Sequence, residues 1–225
     1  LMNFAMVQHL IRKDWYFNKW LIYSALTLGL LALVLCGSGT EVGFYMGAVL
    51  LLTVLIGAGA YLVTETILRE RTDKTLPFIM SLPLSYLEYS TAKIIGNMVI
   101  FLVPFCALTV GTWIAIAGTE ALPDGLLPFS MLILMEIFTV YTIILAVAVM
   151  TESMGWTIGV MVAGNLFLQL FLYMVARLPG IGTYTEGPVA VWNATVFSIF
   201  GIEVAVIVLV IAATFILQSR KTDFL

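Results

Sequence analysis

An all-α, polytopic membrane protein is what this sequence predicts, and three observations lead there. Of its 225 residues 62% are hydrophobic and only 10% charged, and the mean hydropathy is +1.10. Soluble domains carry roughly 25% charged residues and about half apolar ones, so no water-soluble fold of this size hides so much apolar surface. The apolar residues also gather into six stretches, each near the roughly 20 residues that a bilayer span needs: 18–36, 43–66, 93–117, 128–150, 156–176 and 196–217. Finally, six spans place nine of the ten basic residues on one side and leave Arg177 alone on the other. The positive-inside rule assigns that basic side, with both termini, to the cytoplasm. An odd number of spans would destroy the asymmetry. The net charge of −3 says little by comparison, because the placement of charge outweighs its sum.

Residues 1–17 read as an amphipathic interfacial helix. Phe4, Val7, Ile11 and Trp15 recur at helical spacing, while Gln8, Arg12, Lys13 and Asp14 take other positions. Trp15, Tyr16, Phe17 and Trp20 form an aromatic cluster flanked by Lys13 and Lys19, a composition suited to the headgroup region. A cleavable signal is not expected, since Asp14, Trp15 and Lys19 precede the first apolar run and no small-residue cleavage site follows it. Gly43 with Gly47, and Gly155 with Gly159, are small-xxx-small pairs that let helices approach closely. Cys36 and Cys106 fall at different depths and read as free, buried thiols. No internal repeat supports an inverted-repeat carrier.

The longest polar interval runs from Glu65 to Lys93 and contains the loop 67–92. It holds Arg69, Arg71, Lys74 and Lys93, yet its middle is apolar again. Thr75 can N-cap a short helix, Pro77 is tolerated in its first turn, and Pro83 stops it, which leaves a helix over Leu76–Ser81. Ser85-Tyr-Leu-Glu88 has the form of a capping box that starts the next helix. So small an element cannot bury Leu76, Phe78, Ile79 and Met80 together, so either a partner's groove or the membrane surface covers part of it. At its start Glu65 and Arg69 stand at i,i+4 spacing, and with Glu70 and Arg71 they are expected to form a structural ion-pair group.

Inside the spans the acids stand out. Glu136 and Glu203 each lie seven or eight residues past the start of a span, so about 10–12 Å deep at 1.5 Å per residue. An acid at the centre of an isolated span costs about 2.5–3.5 kcal/mol on insertion scales, so such residues face protein or water. A substrate path, a structural contact between helices and exposure to an outer vestibule all fit. Asn165 and Gln169, on one face of the fifth span, join them as substrate-path candidates, and Arg177 is available as a counter-ion. The loop Arg177–Thr195 is rich in Pro and Gly and ends near Trp192, an interface anchor. His9 has no metal-ligand partners in sight and there is no cysteine cluster, so no metal site is expected. No nucleophile–base arrangement suggests a catalytic residue.

Glu70-Arg71, Thr75-Leu76, Ser81-Leu82-Pro83-Leu84-Ser85 and Lys93 at the opening of a span resemble the corresponding loop of the type-2 ABC exporter permeases. In that family a Glu-Arg pair is followed by a Gly-Thr-Leu-Glu segment, a Leu-Pro-Val-Ser-like break and a Lys before the third span. The general plan is similar too: an N-terminal interfacial helix, six spans and a basic tail, here Ser219-Arg-Lys221. Lys74 stands where glycine is usual, Pro77 where glutamate is usual, and Tyr86-Leu87 where charged residues are usual.

The resemblance implies the membrane permease subunit of an ATP-driven exporter in a bacterial or archaeal cytoplasmic membrane. Two copies would pair among the membrane lipids. Each would dock a separate ATPase through Thr75, Leu76, Pro77, Phe78, Ile79, Met80 and Ser81, with Thr151 and Glu152 as a smaller second contact. ATP and Mg would be bound by the ATPase, and this chain has no G-x-x-x-x-G-K-[ST] loop of its own. The substrate would be hydrophobic or amphiphilic: a lipid, peptide or drug. In related exporters the region matching Arg177–Thr195 often forms re-entrant turns at the outer gate. No nucleic-acid partner is expected. The alternatives are a proton-coupled carrier using Glu136 and Glu203, or a non-transporting membrane anchor of an ATPase complex.

Overall fold

The computed structural model describes residues 4–73 and 86–220; the expected coupling helix Leu76–Ser81 and the side chain of Arg71 lie outside the described set. The described chain is helical, and six of its helices are long and apolar enough to cross a membrane, as in a multi-pass membrane protein. In order they are α1 (Phe4–Cys36), α2 (Glu41–Val63), which runs on through a π-helical turn (Thr64–Leu68) into the short α3 (Arg69–Thr72), α4 (Tyr86–Gly118), α5 (Leu126–Thr151), α6 (Met154–Arg177) and α7 (Ala194–Ser219).

α1 joins the segment expected at the interface to the first span without a break. Neither Pro nor Gly interrupts residues 4–28, and Asn18 donates to the Asp14 carbonyl instead of capping a new helix. Its inward face also differs from the expected one. Val7 and Leu10 pack on Tyr89 and Ala92 of α4, and Asp14 and Asn18 continue this buried stripe, whereas Trp15, Tyr16, Phe17 and Trp20 face outward. The apolar positions visible in sequence thus include the lipid-facing side, while the side that meets α4 is partly polar.

The helices alternate in direction. Ala32 and Cys36 of α1 meet Gly47 of α2, where the backbones are so close that a Cβ would have no room. At the other expected small pair, Gly155 and Gly159, no neighbouring helix comes within 4 Å of the Cβ position among the described residues. α4 runs parallel to α1, with Asp14 beside Lys93 near one end and Leu33 against Gly111 near the other. α5 is the most buried helix, in contact with α2, α4, α6 and α7. A stack of Phe101, Phe105, Phe138 and Tyr141 ties it to α4, with Tyr141 and Phe101 ring centroids 3.9 Å apart. Cys36 is buried and Cys106 exposed, both free, so the expectation of two buried thiols fails for Cys106, which lies on the outward face of α4.

One end of the bundle holds the starts of α1, α4 and α6 and the ends of α3, α5 and α7, and with them the basic residues Lys13, Arg69, Lys93 and Arg220; we call it the basic end. At the far end, 178–193 folds over α5, α6 and α7. Ile181 packs with Leu132, Val175 and Val196, the Gly125 N–H donates to the Gly187 carbonyl, and Asn193 caps α7. Gly125 is required there because the Tyr184 carbonyl occupies the place of a Cβ.

Candidate functional site

Two polar sites interrupt the apolar interior. The first is a buried charge cluster at the basic end. The Lys93 ammonium donates to Asp14 Oδ2 (2.9 Å) and Glu70 Oε1 (2.8 Å). Lys13 donates to the same Glu70 oxygen (2.7 Å) and lies 3.5 Å from Asp14 Oδ1. The Tyr89 hydroxyl donates to Glu70 Oε2 (3.1 Å). Two cations and two anions thus neutralise each other, with the Lys93 side chain 1% exposed and that of Asp14 5%. Charges this deep are tolerated only when paired and hydrogen-bonded. Burial by itself would raise the Glu70 carboxyl, but the ammoniums of Lys93 and Lys13 prevail and hold it below its ordinary range.

Chain geometry gives this cluster its place. Asp14 is about 33 Å from the far end of α1 at 1.5 Å per residue, just beyond the roughly 30 Å of hydrocarbon. Glu70 precedes the segment 74–85 and Tyr89 and Lys93 follow it, so the cluster ties both ends of that loop to α1. The π-turn helps to aim Glu70 inward. Its wider winding is closed by the Arg69 N–H donating to the Thr64 carbonyl, and π-turns of this kind are frequent at functional sites. One layer deeper, Thr66 donates to Asn97 Oδ1 (2.9 Å), Asn97 to the Lys93 carbonyl (2.9 Å), and Tyr141 to the Asn97 carbonyl (2.9 Å). These bonds fix α2, α4 and α5 against one another beneath the charges.

The residues expected to act together near the loop divide. Arg69 donates to both Glu65 oxygens (2.9 and 2.7 Å) and to Asp73 (3.2 Å) in an exposed group, while Glu70 turns away from it to the lysines. Sequence reasoning passed over Lys13 and Tyr89 as partners of Glu70, and Asp14 as a partner of Lys93. Thr151 and Glu152 stand at the same end. Thr151 is exposed and bonded to its own helix, and Glu152 ends α5 with a left-handed backbone (φ 49°). Gln218 of α7 donates to the Val149 carbonyl (2.7 Å) and fastens the final helix beside them.

The second site is a cavity of about 630 Å³ between α5, α6 and α7. Glu136 and Glu203 both line it, at 3% and 4% exposure, among Phe167, Phe171, Met174 and Val206. They lie about 15 and 14 Å along their helices from the far end at 1.5 Å per residue. Neither Glu203 oxygen finds a hydrogen-bond partner among the described residues. The other two residues expected on this path are elsewhere. Asn165 borders a separate crevice toward α2 and bonds the Met161 carbonyl, and Gln169 is exposed. Arg177 is no counter-ion: its exposed guanidinium stacks 4.1 Å from the Tyr173 ring centroid. Among the described residues no three His, Cys, Asp or Glu side chains converge as metal ligands. Comparison with family models, with characterised proteins and with solved structures finds no match for this chain.

Proposed function

We propose that the chain is the membrane-spanning permease subunit of a type-2 ABC exporter. Two copies pair, and each docks a separate ATPase, which binds ATP and Mg, on the segment Thr75–Ser81. The basic end then faces the cytoplasm, in keeping with the positive-inside rule. The observation that carries this reading is the Asp14–Lys93–Glu70 bridge. Glu70 and Lys93 are charged residues on either side of the loop in the resembled motif, and their mutual pairing, with Asp14 as third member, gives that loop a base. A partner pushing on Thr75–Ser81 would act through this base on α1, α3 and α4 together. A flexible tether at either end would dissipate the push. Thr151 and Glu152, at the same end, offer the ATPase a second and smaller contact.

Affinity purification of the tagged chain in mild detergent tests this, with Phe78→Asp plus Ile79→Asp as the comparison. A stoichiometric ATPase subunit that is lost from the variant, while the variant remains folded and dimeric, is the expected result. Absence of any ATPase from the unsubstituted chain, with nucleotide present, overturns it. One observation favours a second reading, a proton-coupled carrier: the buried, unpartnered carboxylate of Glu203 beside Glu136 in one cavity. That reading requires transport to follow a pH gradient with no ATPase present.

A further inference from the structure

We infer that the outward face of α1 at the basic end binds an anionic phospholipid, with the headgroup phosphate held between Arg12 and Lys19. This site does not depend on the exporter reading.

Chain geometry sets the depth. Tyr16 lies about 30 Å from the far end of α1 at 1.5 Å per residue, which matches the hydrocarbon thickness and puts it at the boundary with the headgroups. Arg12 stands one turn outside that boundary and Lys19 about one turn inside. Tyr16 follows Arg12 by four positions and precedes Lys19 by three, so all three share one side of the helix. The Lys19 ammonium lies over the Tyr16 ring, 4.3 Å from its centroid, and is thus turned back toward the boundary and toward Arg12. About 10 Å of helix separates the two cationic residues. Side chains of this length can close on one phosphate from either side, and a guanidinium is suited to phosphate oxygens.

Neither cation is spent within the fold. Asp14 and Glu70 hold Lys93 and Lys13, while Glu65 and Asp73 hold Arg69. Among the described residues no carboxylate pairs with Arg12 or Lys19, and the segment 74–85 contains no acid. The rotation of α1 makes this division: Lys13 and Asp14 turn inward to the cluster, and Arg12 is left outside. A zwitterionic headgroup carries a cation of its own into this positive site, whereas an anionic one does not. The surface deeper in the bilayer fits the chains of the same molecule. Trp20 and Tyr23, one and two turns past Tyr16 on the same side, are exposed and meet edge to face with centroids 5.9 Å apart. A soluble phosphate would engage the cations and leave these rings unused; a lipid engages both.

The test is native mass spectrometry of the full chain in mild detergent, titrated separately with dioleoyl phosphatidylglycerol and dioleoyl phosphatidylcholine. The expected result is saturable binding of phosphatidylglycerol about 30-fold tighter than that of phosphatidylcholine, the effect of two cations at a membrane surface. Arg12→Gln plus Lys19→Gln should abolish the preference. Arg69→Gln plus Arg220→Gln removes the same charge from the same end, on α3 and at the close of α7, and should keep it. Equal affinity for the two lipids, a preference that survives in the folded Arg12→Gln plus Lys19→Gln chain, or an equal loss in the Arg69→Gln plus Arg220→Gln chain overturns the site. Displacement of the lipid by glycerol 3-phosphate at matching concentration would assign the cations to a soluble phosphate and overturn it as well. Should the first double variant not yield a monodisperse protein, Lys19→Gln alone is expected to lower the preference about fivefold, and an unchanged preference there overturns the site.

Discussion

The charge cluster at the basic end and the carboxylate cavity deeper in the bundle solve one electrostatic problem in opposite ways. Both bury acids in an apolar protein. Asp14 and Glu70 are each met by ammonium groups, with one bridge closing at 2.7 Å. Among the described residues Glu203 has no hydrogen-bond partner. A buried acid that is fully paired has its charge spent within the fold and serves to hold elements together. One left unpaired is unfavourable as an ion and contributes nothing to holding elements together. The contrast therefore separates acids that hold elements of the fold together from acids that have no partner among the described residues.

The largest effect is expected where pairing is complete. Lys93→Met takes the buried ammonium away from Asp14 and Glu70 and should destabilise the protein by about 3–5 kcal/mol, the usual result of breaking a buried pair from one side. Thermal unfolding in nanodiscs measures it, and a shift within error would mean that the cluster is not a structural unit. The opposite sign is expected in the cavity. Glu203→Met removes an unsatisfied buried acid and should stabilise the fold by about 1–3 kcal/mol in the same assay. A destabilisation of that size would mean that Glu203 has a partner within the folded chain.

Much of this fold was legible in sequence, because long apolar runs and the siting of basic residues are local properties of a chain that must cross lipid. The matching depth of Glu136 and Glu203 was also legible, since residue count along a helix converts directly to distance. The cluster was not. Lys93 reaches Asp14 across 79 positions and Glu70 across 23, and nothing local to Asp14 distinguishes a buried aspartate from one beside the headgroups. The rotation of α1 stayed hidden for the same reason, because lipid and α4 both accept apolar side chains and only the tertiary contact decides which face is inward. Arg177 looked available to the acids, but Tyr173, one turn earlier on its own helix, takes it first.

A smaller effect concerns acid. The folded state holds Glu70 below its ordinary range, through Lys93 and Lys13 and against the opposing effect of burial. Its contribution is complete above the unfolded value of about 4.3 and is lost as pH falls through the lower, folded value. Glu70→Gln should flatten the dependence of stability on pH in that acid window and leave its shape near neutrality unchanged. Identical acid limbs for the two proteins would show that Glu70 is not held ionised by the lysines. The smallest effect is expected for Arg69→Ala. Its pairs with Glu65 and Asp73 are exposed and screened by water, so the melting temperature should not move measurably. A clear loss would place Arg69, rather than Glu70, at the base of the loop.

The most direct test of the cluster as a unit is a double-mutant cycle on unfolding free energy with Asp14→Leu and Lys93→Met. Each single change takes a close partner from a buried charge, whereas the double change removes both members of this pair and leaves Glu70 with Lys13. The two costs should therefore fall short of their sum by about 2–3 kcal/mol. Simple additivity of the two changes would contradict the claim that Asp14 and Lys93 act together to anchor the loop.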